Sequence, residues 1–482
     1  MMLLSFIPID GLTRPEVLLL VLIYLATAAL VSGHVLLRKA DVRSALGWIG
    51  ITWLVPLAGG FLYYLFGINR VTRRALRLHG LDFEPAARTG PPAEPQLPEP
   101  IAKLAAIGGR LNTSPLCAGN RITLLHGGDE AYPVMLEAIG NARHSIALSA
   151  YIFRDDGVGR QFVDALSAAR GRGVAVRVLV DGVGGGYFRS PAWRRLRAGG
   201  VPAARFLHTY FPWRMPFLNM RSHKKLLVID GALGFAGGLN IGDENLAACS
   251  DTGARVDDFH ARVEGPVVRQ IMDSIARDWS FTTGEVLEGE LWWPQLAAVG
   301  EVFARGVRSG PDADLYTTET LFGAALGQAR RRVRIATPYF LPDERLLFAI
   351  HQAQLRGADV KILLPAHTDY RTLDWAINAH LRFFRHGLSC IAFTPAPFQH
   401  AKLMTVDGEF CCFGSSNWDT RSLRLNFEFE LECYDRALTA EIDRELARME
   451  QSSTPLNREA LLNAPLPAQL RDAAMRLLVP YL

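Results

Sequence analysis

Two long apolar stretches open the chain. The first has no charged side chain between Glu16 and Arg38, close to the roughly 20 residues that a helix needs to cross a bilayer. The second is uncharged from Ser44 to Asn69 and carries Trp and Tyr residues spaced like interfacial anchors. Both are apolar on nearly all faces, whereas a core hairpin would be apolar on one stripe. They predict a two-helix transmembrane hairpin over residues 1–78, with a cleavable signal peptide as the alternative for the first stretch.

A proline-rich segment follows the predicted hairpin. Its prolines lie among small and acidic residues between positions 83 and 100, a composition that extends the chain and packs poorly. It predicts a linker over residues 79–110. The arginines just before it, within residues 70–77, slightly outnumber the basic residues between the two apolar stretches. Because cytoplasmic loops carry the excess of Lys and Arg, the rest of the chain is expected in the cytoplasm.

Two related patterns of helix and strand fill the remainder of the chain. The first predicts a helix at 129–142, a strand at 144–153, a helix at 157–172 and a strand at 174–181. The second predicts the same order at 321–330, 333–340, 343–356 and 359–365. Strands that are almost continuously apolar indicate a sheet covered by helices on both faces. The pattern therefore predicts an α/β fold in two halves, residues 111–300 and 301–482.

One chemical pattern occurs once in each half. It places a His, a Lys and an Asp at the same spacing in both copies: His223, Lys225 and Asp230, then His400, Lys402 and Asp407. After an equal gap, each copy continues into a small-residue turn that ends in Asn240 or Asn417, and the second turn includes Ser415. In an extended strand alternate side chains share a face, so each His would point the same way as its Lys. The alternative, two buried strands that merely contain these residues, would bury an unpaired Lys twice, which is costly.

This doubled pattern resembles the phospholipase D superfamily, whose signature is a duplicated His-x-Lys-x-x-x-x-Asp motif followed by a Gly-Ser/Gly-x-Asn segment. The resemblance runs from about residue 120 to about residue 450. It implies two α/β/α sandwich halves related by a pseudo-twofold axis, with the site at their junction. It also implies that one imidazole attacks a phosphodiester to form a phosphohistidine while the other protonates the departing alcohol. His223 is the expected nucleophile and His400 the expected general acid.

The same resemblance implies roles for the remaining site residues. Five residues would hold the substrate phosphate: Lys225, Lys402, Asn240, Asn417 and Ser415. Two downstream carboxylates, Asp258 and Glu428, would fix the tautomers of the imidazoles. Asp230 and Asp407 would complete the two catalytic sets by holding strands and loops together through ion pairs. No metal and no cofactor is required.

The hairpin and the motifs together resemble the bacterial cardiolipin synthases of this superfamily, most closely at residues 53–60, 64–67 and 263–266. The resemblance implies a multi-pass enzyme of the bacterial inner membrane that transfers a phosphatidyl group from one phosphatidylglycerol to a second and releases glycerol. Its partners would be phospholipids and the bilayer. The chain departs from the family at Val256 and Asp257, where a Trp-Arg pair is usual, and at Ser149 and Ala150. Phosphatidylethanolamine therefore stays open as the donor.

Composition separates the alternative functions. A net charge of +4 is too small to indicate nucleic-acid binding, so no nucleic-acid partner is expected and a nuclease of the superfamily is disfavoured. A hydrophobic share of 49% and a mean hydropathy of +0.11 favour membrane association. The six cysteines have neither metal-ligand nor disulfide spacing, which indicates reduced thiols. A phospholipase D-type hydrolase stays open, because it shares the intermediate and differs only in using water.

Overall fold

The structure, a computed structural model, describes residues 14–39, 42–67, 97, 99, 101–111, 114–209, 220–248, 255–311, 314–384 and 387–477. The chain divides into two compact units. One comprises Met1–Arg77 with Thr209–Phe217, and the other comprises Leu78–His208 with Leu218–Leu482. The basic residues predicted to set the orientation, within 70–77, and the proline-rich segment up to residue 96 lie outside the described residues.

The first unit is helical in its described part, with helices α1 (Arg14–Arg38), α2 (Val42–Leu54) and α3 (Pro56–Leu62) and a π-helix (Tyr63–Gly67). Of the described helices, α1 alone is long and apolar enough to cross a membrane, by length and composition. The predicted second span is broken, because Pro56 has no N–H and cannot continue α2, so it starts α3 instead. α1 contacts the broken arm: Trp53 donates to Ser32 Oγ at 3.1 Å, and His34 Nδ1 lies 2.7 Å from the Tyr63 hydroxyl. The predicted two-helix hairpin is thus present only in part.

The second unit is a mixed α/β structure. Its described helices are α4 (Ile101–Leu111), α5 (Gly127–Asn141), α6 (Gly157–Gly171), α7 (Pro191–Ala198), α8 (Val268–Thr283), α9 (Thr317–Gln328), α10 (Glu344–Leu355), α11 (Arg371–Phe383), α12 (Thr420–Arg424), α13 (Arg436–Ser452), α14 (Arg458–Leu462) and α15 (Leu466–Leu477), with 3₁₀ turns at Asp243–Asn245 and Leu388–Cys390. Its described strands are β1 (Cys117–His126), β2 (Ser145–Ala150), β3 (Ala175–Asp181), β4 (Ala203–Phe206), β5 (Leu226–Ile229), β6 (Leu233–Gly237), β7 (Val256–Asp257), β8 (Phe259–Glu264), β9 (Val302–Ser309), β10 (Arg332–Ala336), β11 (Phe340–Leu341), β12 (Asp359–Pro365), β13 (Ile391–Thr394), β14 (Phe398–Gln399), β15 (Leu403–Val406), β16 (Phe410–Gly414), β17 (Trp418–Asp419), β18 (Glu428–Tyr434) and β19 (Thr454–Pro455).

Most of these strands form one sheet that repeats its own order. The sheet reads β19-β13-β12-β10-β15-β16-β18-β9-β1-β8-β6-β5-β2-β3-β4. From the centre outward, the first half runs β1-β8-β6-β5-β2-β3-β4 and the second runs β9-β18-β16-β15-β10-β12-β13. The halves meet where β1 pairs with β9 in an irregular antiparallel register. The repeated sequence pattern therefore corresponds to a repeated strand order, and the predicted α/β fold is confirmed.

Each half has its own buried apolar cluster, one around Phe162 and Phe235 and the other around Ile335 and Phe410. Every residue of β2, β5, β15, β16 and β18 is buried, as expected for strands covered on both faces. Helix α4 contributes Ile101 and Leu104 to the second cluster. The predicted linker over 79–110 therefore ends before residue 101, because an amphipathic helix begins there and buries its apolar face.

The motif Asp residues fix the turns that end the two motif strands. Asp230 and Asp407 have left-handed backbone conformations, with φ of 52° and 55°, which Asp adopts more readily than most residues. The Asp230 carboxylate accepts hydrogen bonds from the backbone N–H groups of residues 143–145 at 2.6 to 3.2 Å. The Asp407 carboxylate accepts from residues 330–332 at 2.8 to 2.9 Å. The predicted ion pairs are replaced by these amide hydrogen bonds, which tie each motif turn to the start of the neighbouring strand.

We expect Asp230→Ala to lower the free energy of unfolding by about 2–3 kcal/mol, because it removes a charged acceptor of three backbone amides and puts Ala in a left-handed conformation. Asp230→Asn keeps one acceptor oxygen and tolerates the conformation, so its loss should be smaller. Urea unfolding of the full chain in detergent measures both. Normal stability of Asp230→Ala combined with lost turnover would contradict this structural role.

Candidate active site

Each motif His is held by the main chain of the opposite half. The His223 N–H donates to the Phe427 carbonyl at 2.9 Å, and the His400 N–H donates to the Asp257 carbonyl at 2.7 Å. A bridge between Ser222 and Phe427 and the pairing of β7 with β14 accompany these bonds. The alternation placed each motif His and Lys within an extended strand. In the structure the motif strands β5 and β15 begin just after the Lys, so both residues lie ahead of the strand. The two halves thus interlock at the histidines.

The carboxylates that orient the imidazoles are exchanged between the halves. His223 Nδ1 lies 3.0 Å from Glu428 Oε2, and His400 Nδ1 lies 2.6 Å from Asp258 Oδ2. An ionised carboxylate can only accept, so Nδ1 is the nitrogen that donates to it, and Nε2 is then the basic nitrogen of each neutral ring. Glu428 belongs to the second half and Asp258 to the first. The imidazole of each half is therefore oriented by the other half.

The motif lysines lie beside the imidazoles and are fully enclosed. Lys225 Nζ donates to the His223 carbonyl at 2.6 Å. Lys402 Nζ donates to the His400 carbonyl, lies 2.8 Å from His400 Nδ1 and donates to Asp258 Oδ2 at 3.3 Å. Both ammonium groups are buried, at 4% and 5% exposure, so their positive charge acts on the site through a medium with little water.

The two motif Asn residues reach the site, whereas Ser415 lies behind it. Asn240 and Asn417 both line the cavity described below, and Asn417 Oδ1 is buried without a hydrogen-bond partner among the described residues. The Ser415 hydroxyl donates to Glu428 Oε2 at 2.6 Å, and its carbonyl lies 2.9 Å from His223 Nδ1. The structure therefore places Ser415 where it positions a carboxylate and an imidazole, and not where the sequence predicted it, against a substrate.

A cavity of about 1270 Å³ opens over both imidazoles. His223 and His400 line it together, and its walls extend to residues 365–370, 372–373 and 394–398 of the second half. Of the predicted site residues, seven are outside its lining: Lys225, Lys402, Asp230, Asp407, Ser415, Glu428 and Asp258. Within the described ranges, His, Cys, Asp and Glu side chains form no group of three that could hold a metal ion.

Burial decides the protonation of the two imidazoles. It lowers the pKa of His223 to about 4, although Glu428 acts in the opposite direction. It lowers the pKa of His400 to about 3, and Lys402 adds to this effect. Both rings are therefore neutral at pH 7 before an anion binds. A phosphodiester between them would favour the protonated form of one ring, because an opposite charge nearby stabilises the cation.

The surrounding charges are strongly coupled. Burial and then the neighbouring Lys402 lower the pKa of Lys225 to about 7. Burial by itself would raise the pKa of Asp258 and of Glu428, but the adjacent Lys and His groups hold both pKa values below the usual range. The site therefore contains two ionised carboxylates, and the neighbouring lysines balance their negative charge.

Sequence reasoning missed five residues that line the cavity near the imidazoles: Tyr151, Tyr339, Arg221, Arg421 and Asn426. The Tyr151 ring packs edge-on to His223 at 4.7 Å, and the Tyr339 ring packs edge-on to His400 at 6.2 Å. The signal that could have found two of them is their place in the motifs. Arg221 stands two residues before His223, and Asn426 stands two residues before Glu428.

Comparison with known proteins agrees with this architecture. Residues 135–279 and 323–450 match the family model described as cardiolipin synthase, PLD-like domain. A cardiolipin synthase of Geobacillus sp. (strain WCH70) is 32% identical over 451 residues, which cover 90% of this chain and 88% of that protein. Cardiolipin synthase A of Pseudomonas fluorescens (strain SBW25) is 37% identical over 340 residues, 70% of each chain. The chain belongs to the cardiolipin synthase family.

As a member of the cardiolipin synthase family, the protein is an enzyme of the phospholipase D type with phospholipid substrates. The chain shares its fold with a solved structure over much of its length. The match with the crystal structure of phosphatidylserine synthase from Haemophilus influenzae Rd KW20 covers 79% of this chain and 100% of that chain, with a TM-score of 0.61 and 17% sequence identity. At that identity the similarity concerns the fold alone.

We expect Glu428→Gln to lower turnover at least about a hundredfold, because a neutral amide no longer stabilises the positive charge that the His223 ring carries when it is protonated or bonded to phosphorus. Glu430→Gln is the matched control on the same strand. Burial raises the pKa of Glu430 to about 8, so it is mostly uncharged at pH 7 and Gln resembles it closely. Steady-state assays of both variants test this difference, and a similar loss in both would contradict it.

We also expect the affinity for sulfate to fall as the pH rises from 6 to 8. Lys225 loses its proton across this interval, because the pKa of its ammonium group is lowered to about 7, whereas the charge of sulfate is constant. A single group titrating at that pH changes its protonated fraction about tenfold over the interval, and the dissociation constant should rise accordingly. Calorimetric titration measures this. Lys225→Met should bind sulfate weakly with a flatter pH dependence, and an unchanged slope would assign the titration to another group.

Proposed function

We propose that the protein makes cardiolipin by transferring a phosphatidyl group from one phosphatidylglycerol to the hydroxyl of a second, with release of glycerol. The observation that carries this proposal is the pair of imidazoles that face one cavity, each fixed by a carboxylate of the opposite half at 3.0 and 2.6 Å. A phosphodiester is an anion that resists nucleophiles. Two imidazoles supply a nucleophile and a proton, and two nearby ammonium groups supply positive charge that neutralises the phosphodiester.

In the first step, Nε2 of one imidazole attacks phosphorus. The phosphorus–nitrogen bond forms, the bond from phosphorus to the glycerol oxygen breaks, and the other imidazole, protonated, gives its proton to that oxygen. In the second step the acceptor hydroxyl gives its proton to the same imidazole, its oxygen bonds to phosphorus, and the phosphorus–nitrogen bond breaks. His223 and His400 perform these roles as a pair, and their protonation belongs to the pair.

The remaining groups stabilise the negative charge on the phosphate. Asn240 and Asn417 line the cavity and can donate amide hydrogens to the non-bridging oxygens. Lys225 and Lys402 lie behind the wall and contribute their charge. Asp258 and Glu428 stabilise whichever imidazole is protonated. The chemistry is complete with side chains alone, so the mechanism uses no cofactor.

Membrane residence fits a lipid substrate. Helix α1 has the length and apolarity of a membrane span, and the members of the family that the chain matches are named as cardiolipin synthases. We propose that the protein resides in the bacterial inner membrane, with the two catalytic halves on the cytoplasmic side. There the substrates would diffuse to the cavity within the bilayer.

The test is to supply the purified full chain with vesicles of phosphatidylglycerol and to analyse the products. Cardiolipin and glycerol in equal amounts are expected. Phosphatidic acid without cardiolipin would replace the proposal with hydrolysis, and DNA cleavage without lipid turnover would replace it with a nuclease. Adding phosphatidylethanolamine vesicles shows whether that lipid serves as donor.

Single variants test the pairing of the imidazoles. His223→Ala and His400→Ala should each lower turnover by at least about a thousandfold, since each removes one of two groups that act in sequence. His144→Ala, at an exposed position of the first half, is the control and should behave like the unaltered chain. Substantial turnover in both site variants would refute the mechanism.

A further inference from the structure

The two halves match in their catalytic groups but differ in the charges beside them. Two residues before the motif His, the first half has Arg221 and the second has Phe398. Four residues after the motif Asn, the second half has Arg421 and the first has Glu244. All four side chains line the cavity. The repeat therefore places unlike groups at matching positions of one site.

Each half supplies the carboxylate for the imidazole of the other half, and this arrangement brings Arg221 and Arg421 to the same side of the cavity. The segment after each motif Asn carries the carboxylate that orients the opposite imidazole, so the segment with Arg421 runs toward His223. Its residue Phe427 pairs in the backbone with the segment of Arg221, whose carbonyl accepts from the Phe427 N–H at 2.8 Å. The two arginines therefore lie together near His223.

The guanidinium of Arg221 is held by one hydrogen bond, but one of its buried N–H groups has no acceptor among the described residues. Its Nη1 donates to the Tyr151 hydroxyl at 3.2 Å, and the Tyr151 ring lies 4.7 Å from His223. Its Nε is buried without a hydrogen-bond partner in the part of the chain that the structure describes. A buried guanidinium N–H without an acceptor is costly, and an anionic ligand in the cavity would remove that cost.

Arg421 lies in the first turn of α12, which Asp419 caps by accepting from the Ser422 N–H at 2.7 Å. Burial and then the charge of Arg221 lower the pKa of the Arg421 guanidinium, which indicates that the two cations are close. The buried carboxylate of Asp181 is nearby and accepts from three backbone N–H groups, those of Val183, Gly184 and Ser222. Both arginines line the cavity, so both would face an anion that binds beside His223.

The His400 side has a different set of groups at the matching positions, although Arg255 also lines the cavity there and its carbonyl accepts from the Phe398 N–H at 3.1 Å. The Phe398 ring lies 5.6 Å from the His400 ring, and Glu244 accepts from Arg154 at 3.2 Å. On this side the Tyr339 hydroxyl donates to the carboxylate of Asp369 at 2.6 Å. The corresponding tyrosine near His223, Tyr151, instead accepts from Arg221. The His223 side therefore has two arginines at repeat positions where the His400 side has an aromatic ring and a carboxylate.

We propose that Arg221 and Arg421 bind the phosphate of the acceptor phospholipid, beside the phosphate that reacts. This inference rests on the proposed function, in which the acceptor brings its own phosphate, three carbons from the attacking hydroxyl. Guanidinium groups suit such a phosphate because their parallel N–H groups match its oxygens. Water and free glycerol have no phosphate, so this subsite would favour a phospholipid acceptor over both.

The test compares two acceptors of the same intermediate. Vesicles of phosphatidylglycerol are incubated with the full chain and radiolabelled glycerol. Cardiolipin reports transfer to an acceptor with a phosphate, and labelled phosphatidylglycerol reports transfer to one without. In Arg221→Gln and Arg421→Gln the ratio of cardiolipin to labelled phosphatidylglycerol should fall at least about tenfold, the effect of losing one charge-assisted contact.

Two further variants keep the outcome interpretable. Arg154→Gln also removes a cavity-lining arginine, but one already paired with Glu244, and should leave the ratio as in the unaltered chain. Arg221→Lys retains the charge and should give an intermediate ratio. An unchanged ratio in the Gln variants, or an equal loss of both products in the Gln and Lys variants, overturns the subsite. Labelled phosphatidylglycerol without cardiolipin from the unaltered chain instead overturns the proposed function, and the subsite with it.

Discussion

The pairing of buried charges at the junction of the halves is the constraint on which the site depends. Two imidazoles and two lysines lie where the sheet and its flanking segments exclude water, and an unpaired ion there would cost several kcal/mol. Glu428 and Asp258 provide the opposite charge at hydrogen-bond distance from His223 and His400. Because each half supplies the carboxylate for the other, neither half forms a balanced site by itself. The junction is therefore a condition for the chemistry as well as for packing.

The continuous sheet gives this junction its rigidity. β1 and β9 join the two halves at the centre, and the strands that precede the motif turns are buried along their whole length. Asp230 and Asp407 act far from the chemistry, where each accepts consecutive backbone amides and fixes the far end of its motif strand. The motif thus unites a reactive end, at the His, with an anchoring end, at the Asp. The number of residues between the Lys and the Asp of each motif is set by the strand that lies between them.

A symmetric centre and asymmetric surroundings serve different needs. Attack and proton transfer require two equivalent imidazoles that can divide the roles of nucleophile and acid. Discrimination between substrates requires unequal walls, and these come from positions such as Arg221 and Phe398, which correspond in the repeat but differ in charge. The N-terminal unit adds a helix of membrane-spanning length, which suits substrates that are confined to a bilayer.

The sequence by itself determined the α/β class, the repeated order of helices and strands, and the two copies of the His-Lys-Asp pattern. These features are written locally, in apolar periodicity and in residue spacing. In the structure Lys224, the neighbour of Lys225 in the motif, turns away and pairs with Asp278 at 2.9 Å. Only the tertiary structure decided which carboxylate faces which imidazole, that Ser415 lies behind the wall, and that Arg221 and Arg421 line the same side of the cavity. Those facts depend on contacts between segments some 200 residues apart, such as the one from His223 to Glu428, and on the cost of burying charge, which no local pattern records.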